Sequence, residues 1–236
     1  MWYINAIMSL YHKGDILYME NNMVEEKKEV KLTDKERFLD LVRTNVKRDG
    51  VENLIDYLEK SDFFRAPAST KYHNSVEGGL CNHSLHVYDR LVNHWKNDGL
   101  DLNLETITIA ALFHDLCKTN FYKKTFRNVK VYNDAGSKED AGGRFDWEVQ
   151  PSYEVEEKFI YGHGEKSVFM LMNYIKLDPY EAQAIRYHMG GIEYGRPLDS
   201  NAMKVFETNE LALYLYISDM EATYRDERGI SGAGDN

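Results

Sequence analysis

The sequence predicts an all-α protein, a helical bundle interrupted once by a small β-hairpin. Three observations carry that prediction. Apolar residues recur at helical spacing through most of residues 33–224. Asp49-Gly50, Gly78-Gly79, Asn97-Asp98-Gly99 and Gly190-Gly191 cut this pattern into helix-sized lengths. Only one stretch, from about 120 to 153, switches to the alternation of strands.

Residues 1–32 read as a loosely ordered extension. His12, Lys13 and Asp15 interrupt its apolar patches, and Val24 to Lys31 is a run of charges. No basic segment precedes the apolar patches, so neither a signal peptide nor a membrane span is expected, and the chain is placed in the cytoplasm. A single domain is expected over 33–228. Thr33 can cap its first helix with Glu36 at the capping-box position, and Leu39, Leu41 and Val42 give an apolar stripe up to about Arg48. Leu54, Ile55 and Leu58 carry a second helix over Val51 to Lys60. After a loop ending in Gly78-Gly79, a third helix covers about Leu80 to Lys96. The fourth, Leu104 to Lys118, is apolar nearly all round and should be central. Val129 to Tyr132 and Phe145 to Val149 alternate, which predicts a hairpin insertion at about 127–150. Helical spacing resumes near Gly164. It restarts at Asp178-Pro179, with proline in the first turn, then at Ser200, and finally over Asn209 to Tyr224. Residues 229–236 are small and polar and read as a flexible tail.

The chain has 236 residues, 43% of them hydrophobic, enough for a sizeable core. With 29 Lys+Arg against 39 Asp+Glu its net charge is −10, which disfavours a long nucleic acid as partner and leaves room for a small phosphorylated substrate. Cys81 and Cys117 form no CxxC pair, which argues for a reducing compartment and against a disulfide framework or a thiolate zinc site. No GxSxG elbow and no phosphate-binding GxxxxGK loop occurs.

The chemistry concentrates in Ala110 to Lys118, which sets His114-Asp115 inside an apolar run. A buried carboxylate is costly without a partner. A metal ion is a partner that also explains the histidine beside it. His83, His163, His188 and Asp219 lie inside or at the ends of other helices, where tertiary packing can bring them together. Imidazole and carboxylate suit divalent ions such as Mn, Fe, Mg, Co, Ni or Zn. Adjacent helical positions point in different directions, so His114 and Asp115 can flank one ion or reach two.

His83, then His114-Asp115, then Asp219 resembles the H…HD…D signature of HD-domain metal-dependent phosphohydrolases. His163 and His188 resemble the two extra ligands of dinuclear members. Supporting strings are Glu77-Gly78-Gly79-Leu80, Tyr161-Gly162-His163-Gly164-Glu165-Lys166-Ser167, Arg186-Tyr187-His188-Met189-Gly190-Gly191 and Asp219-Met220-Glu221-Ala222. The likeness runs from about Ser69 to Glu227. It is similar to bacterial and phage HD hydrolases and, more distantly, to the HD part of a 3′–5′ exoribonuclease. It implies an HD-domain helical bundle with one or two divalent ions between helices. His83, His114, Asp115 and Asp219 would serve one ion, and Asp115, His163 and His188 a second.

The resemblance further implies hydrolysis of a phosphate ester, mono- or diester, by metal-activated water, with a nucleotide or short oligonucleotide as the expected substrate. An exoribonuclease-like nuclease and a non-catalytic nucleotide-binding regulator are the alternatives. Asp115 and Lys118 are the expected catalytic residues. Lys118 would contact the substrate phosphate or protonate the leaving oxygen, or else serve as a lysine placed well for the helix dipole. Substrate contacts are expected from His73, Lys118 and Arg127, the last within a basic stretch with Lys123, Lys124 and Lys130. His86 reads as a supporting or core residue. Glu165 and Arg186 flank ligands and are expected to brace them or to lie on an exposed face.

Overall fold

The computed structural model describes residues 32–70, 74–132, 145–191 and 199–228. The chain divides into two compact units, Met1–Leu32 and Thr33–Asn236, and all the described helices and strands belong to the second. Most of the expected extension, the tail and His73 lie outside the described residues.

The described residues form eight α-helices and one two-stranded antiparallel sheet. Helix α1 spans Asp34–Asn45 and opens with the expected capping box between Thr33 and Glu36. Helix α2 spans Val51–Lys60, α3 Gly79–Asp98 and α4 Leu104–Phe113. Strands β1, Tyr122–Tyr132, and β2, Phe145–Val155, follow. Helices α5, His163–Met172, α6, Pro179–Tyr187, α7, Asn201–Thr208, and α8, Glu210–Glu221, complete the set, and α8 runs on into a π-helical turn, Ala222–Asp226. No described helix is long and apolar enough to cross a membrane.

Helix α4 is the centre of the core. All of Thr106–Phe113 is buried, and the Phe113 ring meets Phe38 of α1 edge-on at 5.7 Å. The expected extension of this helix to Lys118 needs correction. It ends at Phe113, His114 is its cap, and Leu116–Lys118 makes a single 3₁₀ turn. Uniform apolarity hides this break, because Leu116 and Cys117 are buried as fully as the helix. What sets the turn is tertiary. The Asp115 carboxylate is held by Lys118 and His163, and the Cys117 amide donates to Ser167 Oγ of α5 at 3.1 Å.

Helix α6 is anchored by a buried acid. Glu181 closes the capping box with Asp178 and receives both ends of the Arg48 guanidinium at 2.5 and 2.6 Å. Thr106 Oγ1 of α4 donates to the same carboxylate at 2.9 Å. Such a pair, with its oxygens satisfied, ties α6 to α4 and to the chain between α1 and α2. The hairpin is longer than the 127–150 expected: the strands pair without interruption from Tyr122↔Val155 to Tyr132↔Phe145. Alternation is clear in the sequence only at its far end, Val129–Tyr132 with Phe145–Val149, because tyrosines, lysines and other polar residues occupy its base.

Candidate metal centre

Five elements deliver the expected residues to one place. His83 comes from the first turns of α3, and Gly79 lets that helix start tight against the preceding loop: a Cβ there would lie 2.0 Å from Asn74 O. His114 and Asp115 come from the break after α4. His163 is the first residue of α5, and His188 caps α6. Gly164 allows those two helices to meet, since a Cβ there would lie 2.3 Å from Arg186 O. Asp219 comes from α8. Within the interior, His83, His114, Asp115, His188 and Asp219 are all buried, and His163 is partly so.

The six side chains form three overlapping groups, each with potential ligand atoms within 4.8 Å of one another: His83, His114 and Asp115; His114, His188 and Asp219; Asp115, His163 and His188. The two oxygens of Asp115 divide the cluster. Oδ1 lies 2.7 Å from His163 Nε2 and 3.5 Å from His188 Nε2. Oδ2 lies 3.5 Å from His114 Nε2, 3.7 Å from His83 Nε2 and 2.6 Å from Lys118 Nζ.

The imidazole tautomers follow from what surrounds them. His114 Nδ1 donates to Ala111 O at 2.8 Å, and His188 Nδ1 donates to Ile185 O at 2.6 Å. A carbonyl can only accept, so Nδ1 of each ring carries a proton and Nε2 is turned inward. Among the described residues His188 Nε2 is buried with no hydrogen-bond partner. His114 Nε2 lies 3.3 Å from His83 Nε2. Ring nitrogens turned toward one another and toward two carboxylates are, once unprotonated, the donor set of a divalent cation. The residues present therefore fit a metal ion, and these groups can hold one.

The surrounding carboxylates favour positive charge on two of the imidazoles. Burial pushes the His83 imidazole down, but Asp219 and Glu227 outweigh it and raise it to about 10. Burial likewise opposes protonation of His163, and Cys117 and Asp115 raise it to about 10. His188 goes down, chiefly by burial. Burial pushes the carboxyls of Asp115 and Asp219 up. For Asp115 the Lys118 ammonium and the imidazoles of His114 and His163 bring it well below the ordinary value, and for Asp219 the imidazoles of His83, His114 and His188 do the same. Lys118 loses to burial and gains more from Asp115, so it stays firmly cationic.

Some supporting residues are not where the sequence suggested. Arg186 pairs with Glu165 and reaches Asp199 at 3.2 Å, so these residues clamp α5 to α6 and do not touch a ligand. His86 does support the centre, through Glu227: Glu227 Oε1 accepts from His83 Nδ1 at 2.9 Å and from His86 Nδ1 at 3.0 Å. The sequence pattern does not single out Glu227. The signal available is an acid about two turns beyond Asp219, and the π-helical turn that swings it inward is invisible to periodicity. Arg90 of α3 pairs with the neighbouring Asp226 and secures that turn. Cys117, by its pattern a small buried residue, lies with Sγ 3.3 Å from His163 Nδ1, so the His163 ring is held at both nitrogens. Arg127 stands in mid-hairpin opposite Gln150, five residues along β1 from Tyr122, roughly 17 Å at strand rise.

Buried imidazoles and carboxylates from separate helices thus form a cluster that could hold a metal ion. Residues 80–213, more than half of the chain, match the HD domain family model, and the chain belongs to that family. The matched span contains His83, His114, Asp115, His163 and His188, and Asp219 lies just past its end. No curated protein and no solved structure matches the chain significantly. Membership supports metal-dependent phosphohydrolase activity in general.

Proposed function

We propose that residues 33–228 form a catalytic domain that hydrolyses a phosphate ester of a nucleotide or short oligonucleotide. Divalent ions would be held there by His83, His114, Asp115, Asp219, His163 and His188. The observation that carries this reading is Asp115, whose Oδ1 faces His163 and His188 while Oδ2 faces His83 and His114. A carboxylate so placed suits a ligand shared by two ions. Such ions, when bound, lower the pKa of a coordinated water and polarise a phosphoryl oxygen.

The chain's own residues do the rest. Glu227, Ala111 O and Ile185 O hold the rings of His83, His114 and His188 with Nε2 inward. Lys118 keeps a proton at Nζ beside Asp115, at the edge of the cluster with its side chain 12% exposed. There it balances charge developing on a phosphoryl or leaving oxygen. Free Cys81 and Cys117 support a cytoplasmic setting.

Metal analysis of the purified chain, followed by phosphate release from a panel of nucleoside mono-, di- and triphosphates and dinucleotides with each divalent ion, tests the proposal. Metal retained and at least one ester turned over is the expected result. A metal-loaded chain that binds a nucleotide and turns over nothing would replace it with the regulator reading.

A further inference from the structure

The hairpin distributes its side chains the wrong way round for a surface element. The register places even-numbered residues of β1 and odd-numbered residues of β2 on one face. That face holds Phe126, 72% exposed, Trp147, 61%, and Val149, 67%, with Pro151 also exposed. Its only charges are Lys124 and Lys130, and no acid lies on it. The opposite face is more covered, yet it carries Thr125, Arg127, Gln150 and Ser152, and all the acids of the paired strands, Asp146, Glu148 and Glu154. Lys130 Nζ already sits 4.1 Å from the Phe145 ring centroid and 5.5 Å from that of Trp147. In a chain of net charge −10, a face of rings and lysines free of acids is a local reversal.

This face starts close in sequence to the centre. Tyr122, four residues after Lys118, lies on it and donates its hydroxyl to Ala68 O at 3.2 Å. From there an 11-residue strand runs on for roughly 36 Å. At the same base of the hairpin, where Val155 pairs with Tyr122, the chain between β2 and His163 carries Phe159 and Tyr161, both exposed and stacked at 5.4 Å.

We propose that the exposed face of the hairpin is a platform for a single-stranded oligonucleotide. Bases stack on Phe126 and Trp147, phosphates lie against Lys124 and Lys130, and the strand is led past Tyr122 to the metal centre. The inference deepens the proposed function and rests on it for the choice of a nucleic acid. Two further observations favour this occupant. Rings interleaved with lysines are the means by which single strands are held without sequence preference, since every base has a stacking face. A second copy laid face to face would set lysines against lysines with no acid opposite. The ion pair of Lys124 with Glu77 at 2.9 Å is exposed on both sides and yields readily to a phosphate.

The test uses fluorescein-labelled oligouridylate and oligothymidylate of about twelve nucleotides, read by anisotropy on the full chain at about 50 mM and about 200 mM salt. Compared with wild type are F126A/W147A and K124A/K130A, all exposed substitutions, with vesicles rich in phosphatidylglycerol and sedimentation of the chain alone as further arms. Expected are salt-dependent binding by wild type and a loss of at least about tenfold in F126A/W147A. In K124A/K130A the salt slope should fall by about two. Hydrolysis of bis-p-nitrophenyl phosphate with divalent metal, followed in parallel, reads the centre separately from binding. Absence of oligonucleotide binding by wild type, or variants that bind as well as wild type, overturns the proposal. So does vesicle binding or self-association that the ring substitutions abolish while no oligonucleotide binds. Oligonucleotide binding lost in F126A/W147A with no ester hydrolysed by any variant would uphold the platform and overturn the reading of the centre.

Discussion

The interior of the helical unit and the hairpin depart from the usual distribution of polar and apolar groups in opposite senses. Around Asp115 the protein buries three histidines and two aspartates among helices whose cores are leucine, isoleucine and phenylalanine. On the hairpin it exposes phenylalanine, tryptophan and valine on the face turned to water. The buried groups cost solvation free energy that their mutual bonds and an added cation offset. The exposed rings forgo burial worth about 2 kcal/mol each. Packing explains neither; a bound cation would account for the first, and the proposed stacking of bases would account for the second.

Substitutions should separate the two regions sharply. Asp115→Ala removes the group shared between both halves of the cluster. Phosphate release should fall at least about a hundredfold and bound metal should be lost, with far-UV circular dichroism still helical. Full turnover in that variant would sink the assignment of the centre. Next in size is Phe113→Ala, fully buried against Phe38, which should cost about 3–5 kcal/mol in urea unfolding of the metal-free chain. Glu227→Gln keeps the volume but can no longer accept from both His83 and His86 as an anion. Metal affinity should weaken about 10- to 100-fold by competition with a chelator while the unfolding midpoint moves little.

The pH dependence of the chelator-treated chain comes after these. His83 and His163 are raised from 6.5 to about 10 on folding, so their contribution to stability is complete below about 6.5 and lost as pH rises through 10. Asp115 and Asp219 are lowered, so theirs is present above about 3.8 and lost as pH falls. His188, lowered by burial, opposes the other two imidazoles below 6.5. The melting temperature should therefore decline from neutral pH towards 10, whereas metal uptake should rise over the same interval as protons leave the ligands. A flat melting profile would remove the titration argument. Smallest of all is Trp147→Ala, which should leave stability within about 0.5 kcal/mol, since the ring is 61% exposed and its ring contact, Phe145 edge-on at 5.6 Å, lies on the same hairpin. A larger loss would show that the hairpin face is covered within the chain itself.

Much of the architecture is legible in the sequence because local chemistry and tertiary structure agree. Thr33 with Glu36 and Asp178 with Glu181 mark helix starts by bonds within one turn, and both capping boxes form. The six metal-ligand candidates are legible because imidazole and carboxylate inside apolar helices have few other uses. The break at His114 is not legible, because its cause lies in Lys118, His163 and Ser167, and the last two are on another helix. The roles of Glu227 and Cys117 are hidden for the same reason: each acts on a histidine far away in sequence. The basic stretch from Lys123 to Lys130 looks like one wall, and the strand's period of two divides it, with Lys124 and Lys130 on the open face and Lys123 and Arg127 on the other.

By itself the sequence determined that this is a helical protein with one hairpin, and which histidines and aspartates are available to a metal. Periodicity, caps and residue chemistry are properties of neighbours along the chain. Tertiary structure alone decided that Asp115 turns one oxygen to each half of the cluster, that Glu227 reaches His83, and that the apolar face of the hairpin is the open one. Those depend on distances between residues that only packing brings within reach.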